Sequence, residues 1–159
     1  MAAYMKYDGI DGESQEANHI KWIDVLSFDW GIHRHEPGQT GQSRRRGAAI
    51  VEDFTLTMAY EKAAPKLQEM CLKGNVIPKL EIEFTALLGR ARATYLKYEL
   101  KNVMITSFQT SASGSAESGR PTVVLGNNFE EVKVTYTEHD REGKSKGNVE
   151  TKFKVEKSR

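Results

Sequence analysis

A chain of 159 residues with 38% hydrophobic and 28% charged residues has the length and composition of one globular domain with a sizeable core, and not of a disordered segment. Lys and Arg number 23 against 22 Asp and Glu, so the net charge of +1 supplies no global field for nucleic acid or an anionic membrane. A single cysteine, Cys71, excludes an internal disulfide, and no apolar run reaches signal-peptide or membrane-span length, which predicts folding in a reducing compartment, no membrane insertion and no cleaved signal.

In chain order, Asp8-Gly9 and Asp11-Gly12 read as turns. From Ile20 to His33 the even positions are Ile20, Trp22, Asp24, Leu26, Phe28, Trp30 and Ile32. Alternate side chains of a strand point to opposite faces, so this pattern predicts one long strand with its even residues inward. The same parity sends Ser27 and Asp29 to the opposite face. Asp24 is the polar exception in the inward row and must be hydrogen-bonded or lie at the domain edge.

Residues 33–47 form a long loop carrying Pro37 and the basic run Arg44, Arg45, Arg46. Connections of this length tend to be functional, and such a run either meets phosphate or an acidic protein surface or is simply solvated. Alternation returns in Phe54, Leu56, Met58, Tyr60, and again in Leu80, Ile82, Phe84. It recurs in Leu96, Tyr98, Leu100, in Val132, Val134, Tyr136, and in Thr151, Phe153, Val155. A parity switch at Lys101–Asn102 predicts a bulge or a sheet corner. One segment breaks the period: Leu67, Met70 and Cys71 recur at helical spacing between Pro65 and Gly74. Pro at the first helical position and Gly just past the end predict a short helix over about 65–73, docked through those three residues. Ser107–Arg120 reads as a second long loop, and Arg141–Gly147 as a hairpin turn.

Chemistry is sparse in this pattern. His33-Arg34-His35-Glu36 is the one cluster with metal-ligand character, and a third and fourth ligand at set spacing are missing. No nucleophile elbow and no phosphate-binding turn occurs, and Cys71 falls on the buried side of the helix. Glu81 and Glu83 alternate with core residues and read as a solvated strand face. No catalytic residue, no metal and no cofactor is therefore expected. The residues alone give one mainly β domain, barrel-like or sandwich-like, with a single short helix.

Several stretches together resemble the haemolysin-coregulated protein (Hcp) family of type VI secretion. They are Tyr4-Met-Lys-Tyr-Asp-Gly-Ile10, Gly12-Glu-Ser14, Trp22-Ile-Asp-Val-Leu-Ser-Phe-Asp-Trp-Gly31, and Lys62-Ala-Ala-Pro-Lys-Leu67. Tyr98–Ile105 and Phe129–Tyr136 follow in matching order, so the resemblance covers about Tyr4 to Val155. It departs at Ala64, where Ser or Thr is usual before the helix proline, and at the three arginines of the extended loop.

The resemblance implies a flattened β-barrel of two packed sheets with one short α-helix. It also implies a non-enzymatic tube subunit forming hexameric rings that stack into a tube. The implied partners are further copies of itself, a spike protein, a contractile sheath and small effector proteins carried in the lumen. Such a protein assembles in the bacterial cytoplasm and is then secreted to the outside or into a target cell. Ser27 and Asp29 become candidates for the channel wall, and Arg44, Arg45 and Arg46 for ring stacking. Two alternatives remain at this point, a small β-barrel metalloprotein using His33 and His35 and a monomeric ligand-binding barrel.

Overall fold

The fold is organised around its longest strand, β8 (Ala91–Ser111). A computed structural model describes residues 2–34, 49–114 and 119–155. Before β8 come β1 (Ala2–Tyr7), β2 (Ile23–Val25), β3 (Ser27–Asp29), β4 (Ile32–Arg34), β5 (Ala49–Val51), β6 (Phe54–Ala59), α1 (Ala64–Lys73) and β7 (Val76–Leu88). After it come β9 (Thr122–Asn128), β10 (Glu131–His139) and β11 (Ser145–Lys154). The main sheet runs β2-β1-β7-β8-β9-β6-β3, with β10 and β11 branching from β8, and β4 and β5 form a separate two-stranded sheet. Its end strands β2 and β3 are not paired to each other, so the expected barrel is a curled sheet that does not close by hydrogen bonding.

Strand β8 carries this branch because it changes partner along its length. Leu96–Lys101 pairs with β10 and Met104–Ser111 pairs with β9. Asn102 sits at the junction with φ 53°, and its side-chain amide donates to Glu130 at 2.7 Å. The inward residue shifts there from Leu100 to Val103 and Ile105, all buried, as the parity switch predicted. The predicted loop from Ser107 is shorter than expected, since Ser107–Ser111 continues as strand against β9.

Residues 20–33 do not form one strand. Chain β2 pairs with β1, then β3 pairs with β6, and between them the Leu26 N–H donates to the Thr57 carbonyl at 2.7 Å. Crossing between two parts of the sheet reverses the parity. Ile23 is buried in β2, whereas Phe28 turns inward in β3 and Leu26 is left 58% exposed at the corner. Asp24 therefore points to solvent, and the anomaly of a carboxylate in an apolar row disappears.

Helix α1 starts one residue earlier than predicted, with Ala63 as an N-cap lacking any side-chain bond. The N–H groups just ahead of it find carboxylates instead. The Lys62 N–H donates to Glu13 at 2.7 Å and the Ala63 N–H to Glu61 at 3.2 Å. Burial pushes the Glu61 carboxyl above its ordinary range, against the lowering effect of the N–H groups of Glu13 and Ala63. Gly74 ends the helix with φ 64° and donates to the Met70 carbonyl. Leu67 is buried, and Met70 and Cys71 pack against the core, as their spacing required.

Met5, Leu56, Met58, Leu80, Ile82, Leu100 and Leu125 fill the interior. One polar pair lies among them: the Tyr7 hydroxyl donates to Asn127 Oδ1 at 2.5 Å, and the Asn127 amide donates to the Phe54 carbonyl at 3.1 Å. Burial drives the Tyr7 pKa far above the ordinary phenol value, so the hydroxyl stays a donor.

Candidate functional site

Strand β3 places Ser27 and Asp29 side by side on the outer face, opposite Thr57 and Thr55 of β6. Phe28 between them holds the strand down. Its ring meets Phe54, Phe84 and Tyr98 at centroid distances of 5.4, 5.2 and 5.2 Å. Trp30 extends the cluster by stacking on Phe54 at 4.5 Å and donating from Nε1 to the Glu52 carbonyl at 2.8 Å. Edge-to-face and offset rings of this kind favour one geometry beyond their area burial. Asp29 thus stands on a rigid base, and among the described residues no cation pairs with it.

Arg44, Arg45 and Arg46 lie outside the described residues, as does His35. His33 is on β4, exposed, with Nδ1 3.7 Å from Glu52. Among the described residues no group of three or more His, Cys, Asp or Glu could hold a metal ion. No helix among them is long and apolar enough to cross a membrane.

Glu81 and Glu83 are not a simply solvated face. They belong to a lattice of alternating charge spread over β7, β8, β10 and β11. Lys97 lies 3.1 Å from Glu81 and 3.4 Å from Glu83, and Lys79 lies 3.4 Å from Glu99. Lys133 reaches Glu150 at 3.4 Å, while Glu131 stands between Lys101 at 3.5 Å and Lys152 at 3.1 Å. Burial pulls Lys97 down, but the Glu81 hydrogen bond and the charges of Glu81, Glu83 and Glu99 outweigh it and hold the ammonium above its ordinary value. The lattice compensates itself, so this face carries little net field.

His19 anchors one end of that lattice and was the residue the sequence least announced. It is buried, with Nδ1 against Glu16 and Nε2 2.8 Å from Glu83, whose carboxylate also accepts from Thr94 at 3.0 Å. Tyr4 stacks on the ring at 4.4 Å and Trp22 meets its edge at 4.8 Å. Each ring nitrogen thus faces a carboxylate oxygen. With both nitrogens engaged, His19 is a structural pin and not a ligand.

An apolar groove of about 320 Å³ runs between the β4–β5 ribbon and the β10–β11 hairpin. Trp30, Ile32, Val51, Val132, Val134 and Phe153 line it. Ile32 is 57% exposed and Phe153 38%, so the groove opens to solvent.

The family model described as "Type VI secretion system effector, Hcp" matches residues 4–140. Protein Hcp1 of Pseudomonas aeruginosa is 28% identical over 144 residues, which cover 91% of this chain and 88% of that protein. A solved type six secretion system protein is 28% identical with a TM-score of 0.89, covering 99% of this chain and 98% of the other. A type VI secretion system effector from Yersinia pestis is 27% identical with a TM-score of 0.78, covering 96% and 99%. The curled sheet, the helix and the branch at β8 are thus the fold of known type VI secretion proteins, and the chain belongs to the Hcp family of type VI secretion proteins.

Proposed function

We propose that this chain is a tube subunit of the type VI secretion apparatus. It assembles head-to-tail into a hexameric ring around an open channel, and rings stack into a tube beneath a spike protein and inside a contractile sheath. Contraction drives the tube out of the bacterial cell with small effector proteins in its lumen. Its role is structural, with no catalytic step and no cofactor. Ser27 and Asp29 line the channel, and Arg44, Arg45 and Arg46 meet acidic groups of the next ring.

Beside family membership, the supporting observation is apolar surface that a lone subunit leaves in water. Leu26, Ile32, Leu72, Leu87 and Val149 are 58, 57, 77, 67 and 74% exposed and are spread over separate elements. Of these, Ile32 belongs to the contiguous apolar groove of Trp30, Val51 and Phe153, and such a patch suits one of the two different faces that a cyclic assembly joins on each subunit. The test is native mass spectrometry with electron microscopy of the purified protein at high micromolar concentration. Ring particles near six times the 17.9 kDa chain mass are expected. A strictly monomeric species would overturn the reading.

A further inference from the structure

We propose that Met104 is an oxidation site of this chain, where hydrogen peroxide converts an exposed thioether into a sulfoxide that the Asn128 amide then holds. The inference concerns the folded subunit and does not rest on the ring reading. Tyr98 and Leu100 of β8 face the core, and unbroken alternation would bury residue 104 with them. The left-handed Asn102, with φ 53°, shifts the parity, so Val103 and Ile105 turn inward and Met104 comes out, 37% exposed. The other described methionines are placed differently. Met5 and Met58 are fully buried, and Met70 packs against the core from α1. Oxidation of a thioether needs access to its sulfur, so the parity switch singles out Met104.

Two cross-strand partners flank it, Val76 on β7 and Asn128 on β9. The Cβ atoms of such partners lie about 4.5–5.5 Å apart, within reach of a flexible, unbranched methionine. Val76 is itself exposed, so with the thioether it makes a small apolar spot. Asn128 makes the other side polar. Its Nδ2 donates to Asp53 Oδ1 at 3.3 Å, and Thr106 Oγ1 donates to Asp53 Oδ2 at 3.0 Å. The carboxylate thus fixes the amide through one N–H, and the second N–H has no hydrogen-bond partner among the described residues. A thioether is a weak acceptor for it, whereas the oxygen of a sulfoxide is a polar one.

In the reaction a lone pair of the Met104 sulfur attacks one oxygen of the peroxide. The O–O bond breaks, the S–O bond forms, and the second oxygen leaves as water once it has taken up the proton. Sulfur gives up the electron pair that the peroxide gains, so the step balances with these two reactants. An apolar tip becomes a polar, chiral one, and sulfoxide reduction is the class of reaction that restores it. The change falls on the outer face of the sheet. Asn128 shares one side of β9 with Gly126, which lies opposite Thr55 and through it in register with Asp29.

The test treats the folded, unaltered chain with dilute hydrogen peroxide and follows each methionine by peptide mass spectrometry. Fragment ions separate Met70 from the adjacent Cys71, and Met1, outside the described residues, is read on its own peptide. Met104 should gain one oxygen about tenfold or more faster than Met5, Met58 and Met70, and the difference should vanish in urea. In NMR spectra the Asn128 side-chain amide should shift when the unaltered chain is oxidised. Met104→Leu should abolish that shift. Met104→Gln, which carries a carbonyl oxygen at similar reach, should produce it without peroxide. Circular dichroism checks that both variants, changed at an exposed position, keep the fold. If Met5, Met58 or Met70 oxidises as fast as Met104 in the folded chain, the site is overturned. An Asn128 amide that stays put while Met104 oxidises overturns the proposal too, because the sulfoxide is then not held there. So does an amide that still shifts in Met104→Leu, since another residue then causes the effect.

Discussion

His19 Nε2 lies 2.8 Å from Glu83 Oε1, a bond that ties the loop before β2 to β7 across 64 positions of sequence. Removing the ring leaves two carboxylates facing each other around a small void. Losing two hydrogen bonds to partly buried carboxylates, together with the packing of Tyr4 and Trp22, predicts that His19→Ala costs ~2–4 kcal/mol. For a chain of this size, that is a fall of about 4–16 °C in Tm. His19→Gln keeps one amide donor and should lose roughly half as much. A change under about 2 °C for His19→Ala would show that the double pairing contributes nothing to the fold.

The turns at Gly89 and Gly143 interlock. A Cβ on Gly89 would run into the Glu142 carbonyl, and one on Gly143 would stand 2.5 Å from the Leu88 carbonyl. Both glycines have positive φ, 68° and 90°. The left-handed conformation alone costs an L-residue ~1–2 kcal/mol, and the backbone clash adds to it. Gly89→Ala should therefore lower Tm by at least about 2–4 °C and loosen the contact between the β7–β8 and β10–β11 tips. Amide hydrogen exchange at Arg90 and Glu142 reads the second effect; unchanged protection there would dissociate the two turns.

Acid should unfold the protein through a small set of carboxylates. The Lys152 hydrogen bond, aided by Lys101, holds Glu131 below its ordinary range despite its partial burial. The Lys144 N–H, with those of Glu142 and Gly143, does the same for Asp140, and Lys73 does so for Glu69. A carboxyl whose folded value lies below its unfolded one adds stability that is complete above the unfolded value. That stability is lost as pH falls through the folded value. The loss should thus set in below about pH 4. Glu61, raised by burial, works in the opposite direction and softens the decline. Measuring Tm from pH 7 to 2 checks the sign, and Glu131→Gln should flatten the acid limb. A Tm that rises on acidification would mean that Glu61 dominates.

Where one physical rule decided a segment, the sequence disclosed it. Period two placed Phe54, Leu56 and Met58 in the core, and Pro65 with Gly74 bracketed the helix within one residue. The break of parity at Asn102 found the point where β8 changes partner. The corner at Leu26 escaped because no glycine or proline marks it, and an apolar residue there continues the even row while pointing to solvent. Strand pairing with β9 carried Ser107–Ser111 into β8 against a composition that reads as loop. His19 was invisible for a different reason. Its partner Glu83 is remote in sequence, and nothing local distinguishes a loop histidine from a buried one.

The last prediction concerns cargo and rests on the tube reading. The cross-strand neighbour of Asp29 is Thr55, and among the described residues no lysine or arginine pairs with its carboxylate. Among the described residues its charge is therefore not compensated as those of Glu81, Glu99 and Glu150 are. Repeated around the proposed channel, it makes a negative belt that attracts basic cargo and repels acidic cargo, an effect that salt should screen. Asp29→Arg leaves the core untouched, because Phe28 and Trp30 hold the strand from the other side. The variant should keep its Tm within about 2 °C and still form rings. Binding of a basic effector should fall tenfold or more, about 1.4 kcal/mol for each tenfold, and binding of an acidic one should rise. Co-purification with effectors of each charge, at low and at high salt, measures both. If rings form and neither affinity moves, Asp29 is a solvated aspartate on an outer wall and cargo is read by another strand.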